Sequence, residues 1–180
     1  MKNLILIGSL VLITSIIACS NNRNEQAATT GQQQTSTDSN TATSQPVMPT
    51  LPAFAVLDAN GNILHLENLK GKKVFVNLWA SWCPPCKREM PSIAKLYKSI
   101  DTNKVTFVMV SLDDKFEKAK AFVRAAKLHL PVFYPAENLP PLFNVEGIPS
   151  TFIFNENGEL IKRVDGGDQY NTDEYRALLK

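Results

Sequence analysis

Cys83 and Cys86 stand three positions apart in Trp82-Cys83-Pro84-Pro85-Cys86, directly after the apolar run 74–80. A Cys-x-x-Cys pair at a strand-to-helix junction lies one helical turn apart. Its sulfurs can close a small disulfide ring, and the helix N-terminus stabilises whichever one is released as thiolate. That is the geometry of dithiol exchange, in which one sulfur attacks a partner disulfide and the other resolves the mixed disulfide. Pro84 and Pro85 restrict the backbone between the sulfurs and remove two N–H donors. A third cysteine, Cys19, leaves an odd thiol to be explained.

The elements that must hold this pair follow from the apolar pattern. Segment 74–80 is apolar on both faces except at Asn77, as in a central strand covered on both sides. From Cys86 onward Met90, Ile93, Ala94 and Tyr97 recur at helical spacing, with Pro91 expected to kink the helix. Segments 54–58 and 62–66 flank Asn60-Gly61, a two-residue hairpin signal. Residues 105–110 form a second continuous apolar strand, and Asp113-Asp114 followed by Glu117 predicts the capped start of a helix bearing Phe116, Ala119 and Val123. A short strand at 131–134, one helical turn at 139–144 and a hairpin of 151–154 with 160–164 come next. Asn171 with Glu174 then caps a last helix carrying Tyr175, Leu178 and Leu179. The alternation of strand and helix predicts an α/β fold, a mixed sheet with helices on both faces.

The start of the chain predicts where the chemistry takes place. Lys2 and the apolar stretch 4–18, short for a membrane span, read as a signal peptide over 1–18. Ile16-Ile17-Ala18-Cys19 resembles the lipobox of bacterial lipoproteins, which implies cleavage before Cys19 and a lipid on it. Cys83 and Cys86 then remain as one pair, few for a structural disulfide framework and suited to a redox centre. The rest of 19–50 is dominated by Ser, Thr, Gln, Asn and Ala, a flexible tether of about 30 residues with a reach on the order of 30 Å. Residues 51–180 are the size of one compact domain. The net charge of +2 gives no case for a nucleic-acid partner, and the domain is expected to act as a monomer. Ser20 after Cys19 lacks the acidic residue associated with inner-membrane retention, which favours an outer membrane where the cell has one.

The run from Phe75 through Trp79, Ala80 and Ser81 to Cys86, then Glu89-Met90-Pro91, then Gly147-Ile148-Pro149-Ser150-Thr151-Phe152, resembles the thioredoxin superfamily. Within it, the chain is similar to the membrane-tethered TlpA and ResA type of thiol:disulfide oxidoreductase, over essentially all of 51–180. The resemblance implies a thioredoxin-like fold, a central mixed β-sheet flanked by helices, with an added N-terminal β-hairpin. It makes Cys83 the attacking thiol, Cys86 the resolving thiol and Pro149 a cis-proline facing the active-site Cys. The backbone of Ile148 would pair with an extended substrate segment, with Trp82, Pro84 and Pro85 in the contact surface. It also implies protein disulfide and dithiol substrates, apocytochrome c among them, a membrane thiol reductase as electron donor, action as a reductant in the cell envelope, and no cofactor or metal.

One position departs from the pattern. Thioredoxin has a buried Asp, acting in proton transfer to the resolving Cys, where this chain has Asn77, and an amide cannot titrate. Glu89 and Glu137 are the acids that could take its place. Trp79 reads as core, and Lys87 and Arg88 as a solvated helix face. Other functions remain open on these residues. A structural zinc site would need His65 and His129 as further ligands. A thiol peroxidase would need a hydroxyl three residues before Cys83, where Ala80 stands. A copper-site assembly protein or thiol-based metal chaperone would bind a soft metal with the dithiol.

Overall fold

A computed structural model describes residues 48–180. The expectations for the signal peptide, for Cys19 and for the tether up to residue 47 lie outside the described residues. In chain order the elements are β1 (Ala55–Leu57), β2 (Ile63–His65), β3 (Lys73–Trp79), α1 (Pro84–Ser99), β4 (Val105–Ser111), α2 (Phe116–Ala125), β5 (Val132–Pro135), β6 (Ser150–Phe154), β7 (Leu160–Asp165) and α3 (Asp173–Leu178). Short 3-10 turns occupy Leu66–Leu69 and Pro141–Phe143.

These strands build a seven-stranded sheet in the order β2-β1-β5-β4-β3-β6-β7. β3, β4 and β5 run parallel, and β1 and β6 are antiparallel to their neighbours. Parallel neighbours need a crossover. Here α1 joins β3 to β4 and α2 joins β4 to β5. The two-residue period of β3 sends alternate side chains to opposite faces. Phe75 and Trp79 pack with Cys86, Met90 and Ile93 of α1, Val123 of α2 and Tyr175 of α3. Val74, Val76 and Leu78 pack with Leu51, Phe54, Leu66, Phe143, Phe152 and Phe154. The three α-helices therefore share one face, not both faces as the alternation of strand and helix predicted, because β3, β4 and β5 step one way along the sheet and right-handed crossovers then lie on one side. The N-terminal segment with the two 3-10 turns covers the other.

Local chemistry departs from the sequence reading at three places, the first hairpin loop and the caps of α2 and α3. The first hairpin pairs Leu57 with Ile63, and Asp58 N donates to the Asn62 carbonyl at 2.9 Å. The loop is therefore Ala59-Asn60-Gly61 and not a two-residue turn, because Asp58 Oδ1 accepts from the N–H groups of Asn60 and Asn62, each at 2.8 Å. Gly61 takes the positive φ of +87° that this closure requires. α1 continues through Pro91, which is exposed, so the Lys87 carbonyl left without an amide donor can face water. α2 begins after Lys115 with no side-chain cap, since Asp113 is engaged elsewhere. α3 is capped by Thr172, whose Oγ1 accepts from Tyr175 N at 3.4 Å, while Asn171 accepts from Arg176. Among the described residues, no helix is long and apolar enough to cross a membrane.

Candidate active site

Parallel pairing with β4 carries β3 through the core and delivers the chain to the C-terminal end of the parallel strands at Ala80. A turn follows, closed by Cys83 N donating to the Ala80 carbonyl at 3.1 Å. Cys83 is then the N-cap of α1, with Pro84 and Pro85 in the first two helical positions. Proline's fixed φ suits a helix start, where its missing N–H is not needed. The first amide available there is that of Cys86, and it donates to Cys83 Sγ at 3.2 Å. The helix start thus offers its one free N–H to the sulfur that would carry negative charge.

Cys83 and Cys86 are joined in a disulfide with Cα atoms 5.3 Å apart. Cys83 is 3% exposed and Cys86 is fully buried, so a thiol from outside reaches Cys83 first. The Ile148–Pro149 peptide bond is cis, and the Ile148 carbonyl lies 3.6 Å from Cys83 Sγ. The oxidised sulfur has no proton to donate. Once reduced, a Cys83 S–H has this carbonyl as a ready acceptor.

The fold gathers the expected contact residues around that sulfur. Trp82 is 62% exposed, Pro84 is exposed, Pro85 and Ile148 are half-buried and Pro149 is buried. Beside them an open cleft of about 470 Å³ is walled by Val145, Ile148, Pro149, Arg163 and Gly166.

The two candidate acids lie in different places. Glu137 is exposed, and its Oε1 accepts from Ala55 N at 2.7 Å, at the start of β1. Glu89 sits on α1 three residues beyond Cys86, just under one turn, and is 3% exposed. Its Oε1 accepts from Asn77 Nδ2 at 2.9 Å and its Oε2 from Asp168 N at 3.2 Å. Burial pushes the Glu89 carboxyl up to about 7, against the opposing pull of the Asn77 hydrogen bond. A carboxyl in that range exchanges protons near neutral pH. A polar cleft of about 410 Å³, lined by Pro85, Arg88, Glu89, Gly167 and Asp168, opens it to solvent.

Asn77 links this acid to residues the sequence reading did not assign. Its Nδ2 also donates to Thr151 Oγ1 at 2.9 Å, and Thr151 shares a hydrogen bond of 2.7 Å with the Tyr170 hydroxyl. Burial, with the charge of Glu89, pushes the Tyr170 phenol above its ordinary value. Tyr175 donates to Asp168, which holds that carboxyl below its usual range. Thr151 stood in the quoted motif without a role. Nothing in the local pattern marks Tyr170 as more than an aromatic before a helix. The hydroxyl of Ser81 donates to Asp113 Oδ1 at 2.6 Å and so is not directed at Cys83. His65 lies beside Glu67 at 3.6 Å on the hairpin, and among the described residues no three His, Cys, Asp or Glu side chains are grouped to hold a metal.

Known proteins resemble this arrangement in sequence and in shape. Residues 47–163 match the AhpC/TSA family. The thiol-disulfide oxidoreductase ResA of Bacillus subtilis (strain 168) is 34% identical over 116 residues, which are 64% of this chain and 65% of that protein. The chain thus spans just under two thirds of that relative's length. ResA of Halalkalibacterium halodurans is 32% identical over 129 residues, 71% of this chain and 73% of that protein. The crystal structure of StoA from Bacillus subtilis superposes with a TM-score of 0.57 at 31% identity, covering 67% of this chain and 93% of that one. A putative thiol:disulfide interchange protein DsbE from Chlorobium tepidum gives 0.61 at 26%, covering 73% and 91%. The fold is thioredoxin-like.

Proposed function

We propose a function from this premise: the chain belongs to the AhpC/TSA family, to which residues 47–163 match. Its role is that of a membrane-tethered, extracytoplasmic thiol:disulfide oxidoreductase that reduces disulfides in protein substrates through Cys83 and Cys86. The observation that carries this reading is Cys83 Sγ at the head of α1, bonded to Cys86, held by the Cys86 N–H at 3.2 Å and facing the Ile148 carbonyl at 3.6 Å. The names of the ResA relatives support the same chemistry.

In the reduced protein the Cys83 thiolate attacks one sulfur of the substrate disulfide. That S–S bond breaks, a mixed disulfide forms on Cys83, and the first substrate thiolate leaves. Cys86, deprotonated, then attacks Cys83 Sγ, which breaks the mixed disulfide and frees the second substrate thiol. Two electrons have passed to the substrate, and the protein is left with the Cys83–Cys86 disulfide. Glu89 takes the Cys86 proton in this reading, and Asn77 orients its carboxylate. Trp82, Pro84, Pro85, Ile148 and Pro149 hold the substrate segment. A membrane thiol reductase returns the two electrons. Apocytochrome c and other envelope proteins are the substrate class, and a lipid on Cys19 keeps the domain at the membrane.

Reduction of insulin by the dithiol form tests the activity. The unsubstituted protein should precipitate the insulin B chain and Cys83→Ser should not, whereas equal rates for both would overturn the reading. Cys86→Ser should accumulate a mixed disulfide with its natural substrate. Intact mass tests the tether: a mature N-terminus at Cys19 carrying lipid is expected, and an unmodified N-terminus removes that part of the proposal.

A further inference from the structure

Asp113 has a use that α2 does not explain. It is 3% exposed, two residues beyond β4, and α2 starts after Lys115 with no side-chain cap. Its carboxylate accepts from Ser81 N at 3.1 Å, from Ser81 Oγ at 2.6 Å and from Ser111 Oγ at 2.8 Å. Both polar groups of Ser81 therefore converge on one buried acid. Leu112 N donates to the Trp79 carbonyl at 2.7 Å, which clamps the end of β4 to the end of β3 at the same place. A buried carboxylate is costly to desolvate, and an apolar residue of similar volume would serve the core as well. A fully satisfied one makes its donors rigid. Two of these three donors belong to turn 80–83, whose last residue carries the sulfur.

We propose that Asp113 is a positioning residue for Cys83: it pins Ser81 so that the turn holds the sulfur over the Cys86 N–H at the head of α1. Released from that anchor, the turn lets Cys83 Sγ swing away from the one amide that stabilises its thiolate. The inference rests on the dithiol reading given above. It predicts a change in the thiol itself that lost stability alone would not produce.

The test is the pH dependence of Cys83 alkylation by iodoacetamide, in the reduced protein with Cys86→Ser so that one thiol titrates. Adding Asp113→Ala should move the midpoint upward by about one unit, which slows alkylation about ten-fold below the midpoint. Asp113→Asn keeps an acceptor for Ser81 and should recover most of the rate. Ser81→Ala, which loses one bond and keeps the backbone one, should shift the midpoint the same way by less. It serves as the test if Asp113→Ala does not fold. Loss of the charge alone would act in the opposite sense, because a carboxylate near the sulfur opposes its ionisation. An unchanged or lowered midpoint in folded Asp113→Ala, or in Ser81→Ala if Asp113→Ala does not fold, overturns the proposal. Insulin reduction by the unsubstituted protein, run alongside, separates the two claims. Its failure sinks the exchange reading and leaves the comparison of midpoints standing.

Discussion

Asn77 and Leu78 are neighbours in β3 and face different surroundings. Leu78 enters an apolar layer with Phe143, Phe152 and Phe154, where every group is satisfied by contact alone. Asn77 points to the α1 side, where Glu89, Thr151 and Tyr170 form a buried hydrogen-bonded chain. There the side-chain oxygen Oδ1 of Asn77 and the Trp79 indole N–H have no hydrogen-bond partner among the described residues. A strand that alternates by two residues can thus supply a close-packed support from one face and a titratable network from the other. The dithiol sits at the end of that strand, on the side with the network. Stability and chemistry should therefore be separable by face.

The largest effect expected is on the apolar face. Phe143 is fully buried and meets Phe54 edge-on at 5.9 Å. Phe143→Ala should cost about 3–5 kcal/mol in urea unfolding while the alkylation rate of Cys83 in the folded protein stays the same. A comparable loss of thiol reactivity would show that the two faces are not separable.

Glu89→Gln comes next, and its sign follows from the carboxyl's position. In the unfolded chain Glu89 ionises near its ordinary 4.5, and in the folded protein it holds its proton to about 7. Stability therefore falls as pH rises from about 4.5 to about 7, by up to about 3 kcal/mol, and is flat on either side. Glutamine has no proton to lose, so Glu89→Gln should lack that decline. It also loses one of the two oxygens that accept from Asn77 Nδ2 and Asp168 N, a cost that does not vary with pH. Unfolding free energies of the two proteins should converge or cross between pH 5 and pH 8, and parallel curves would refute the assignment.

Asn77→Ala has a smaller effect, about 1–3 kcal/mol for the broken buried bonds. Because the Asn77 hydrogen bond pulls the Glu89 carboxyl down, its removal should move that titration above 7, read from the Glu89 carboxyl resonance against pH. Least of all, Trp82→Ala should leave stability within about 0.5 kcal/mol, since the ring is 62% exposed. It should slow reduction of insulin more than reduction of glutathione disulfide, because only the larger substrate covers the ring. Equal slowing would remove Trp82 from the contact surface.

What the sequence revealed follows the same division. Apolar runs such as 74–80 and 105–110 identify strands because burial on both faces leaves no polar alternative, and the Cys-x-x-Cys spacing needs no tertiary knowledge. The roles of polar residues depended on partners distant in the chain. Asp113 reads as a helix cap until Ser81, 32 residues away, is seen to take its carboxylate. Thr151 and Tyr170 join Asn77 only through the pairing of β6 with β3. Asn60-Gly61 suggested a two-residue turn, and Asp58 lengthened it by bonding the backbone on the far side. Glu89 and Glu137 are alike in sequence, and only burial distinguishes them.

The central claim is that Cys83 is an activated thiol because of where it sits on α1. The pH midpoint of its alkylation in the reduced Cys86→Ser protein measures this directly. The account predicts a midpoint within roughly 3.5–7.5, and a value near the 8.5 of an ordinary thiol would contradict it.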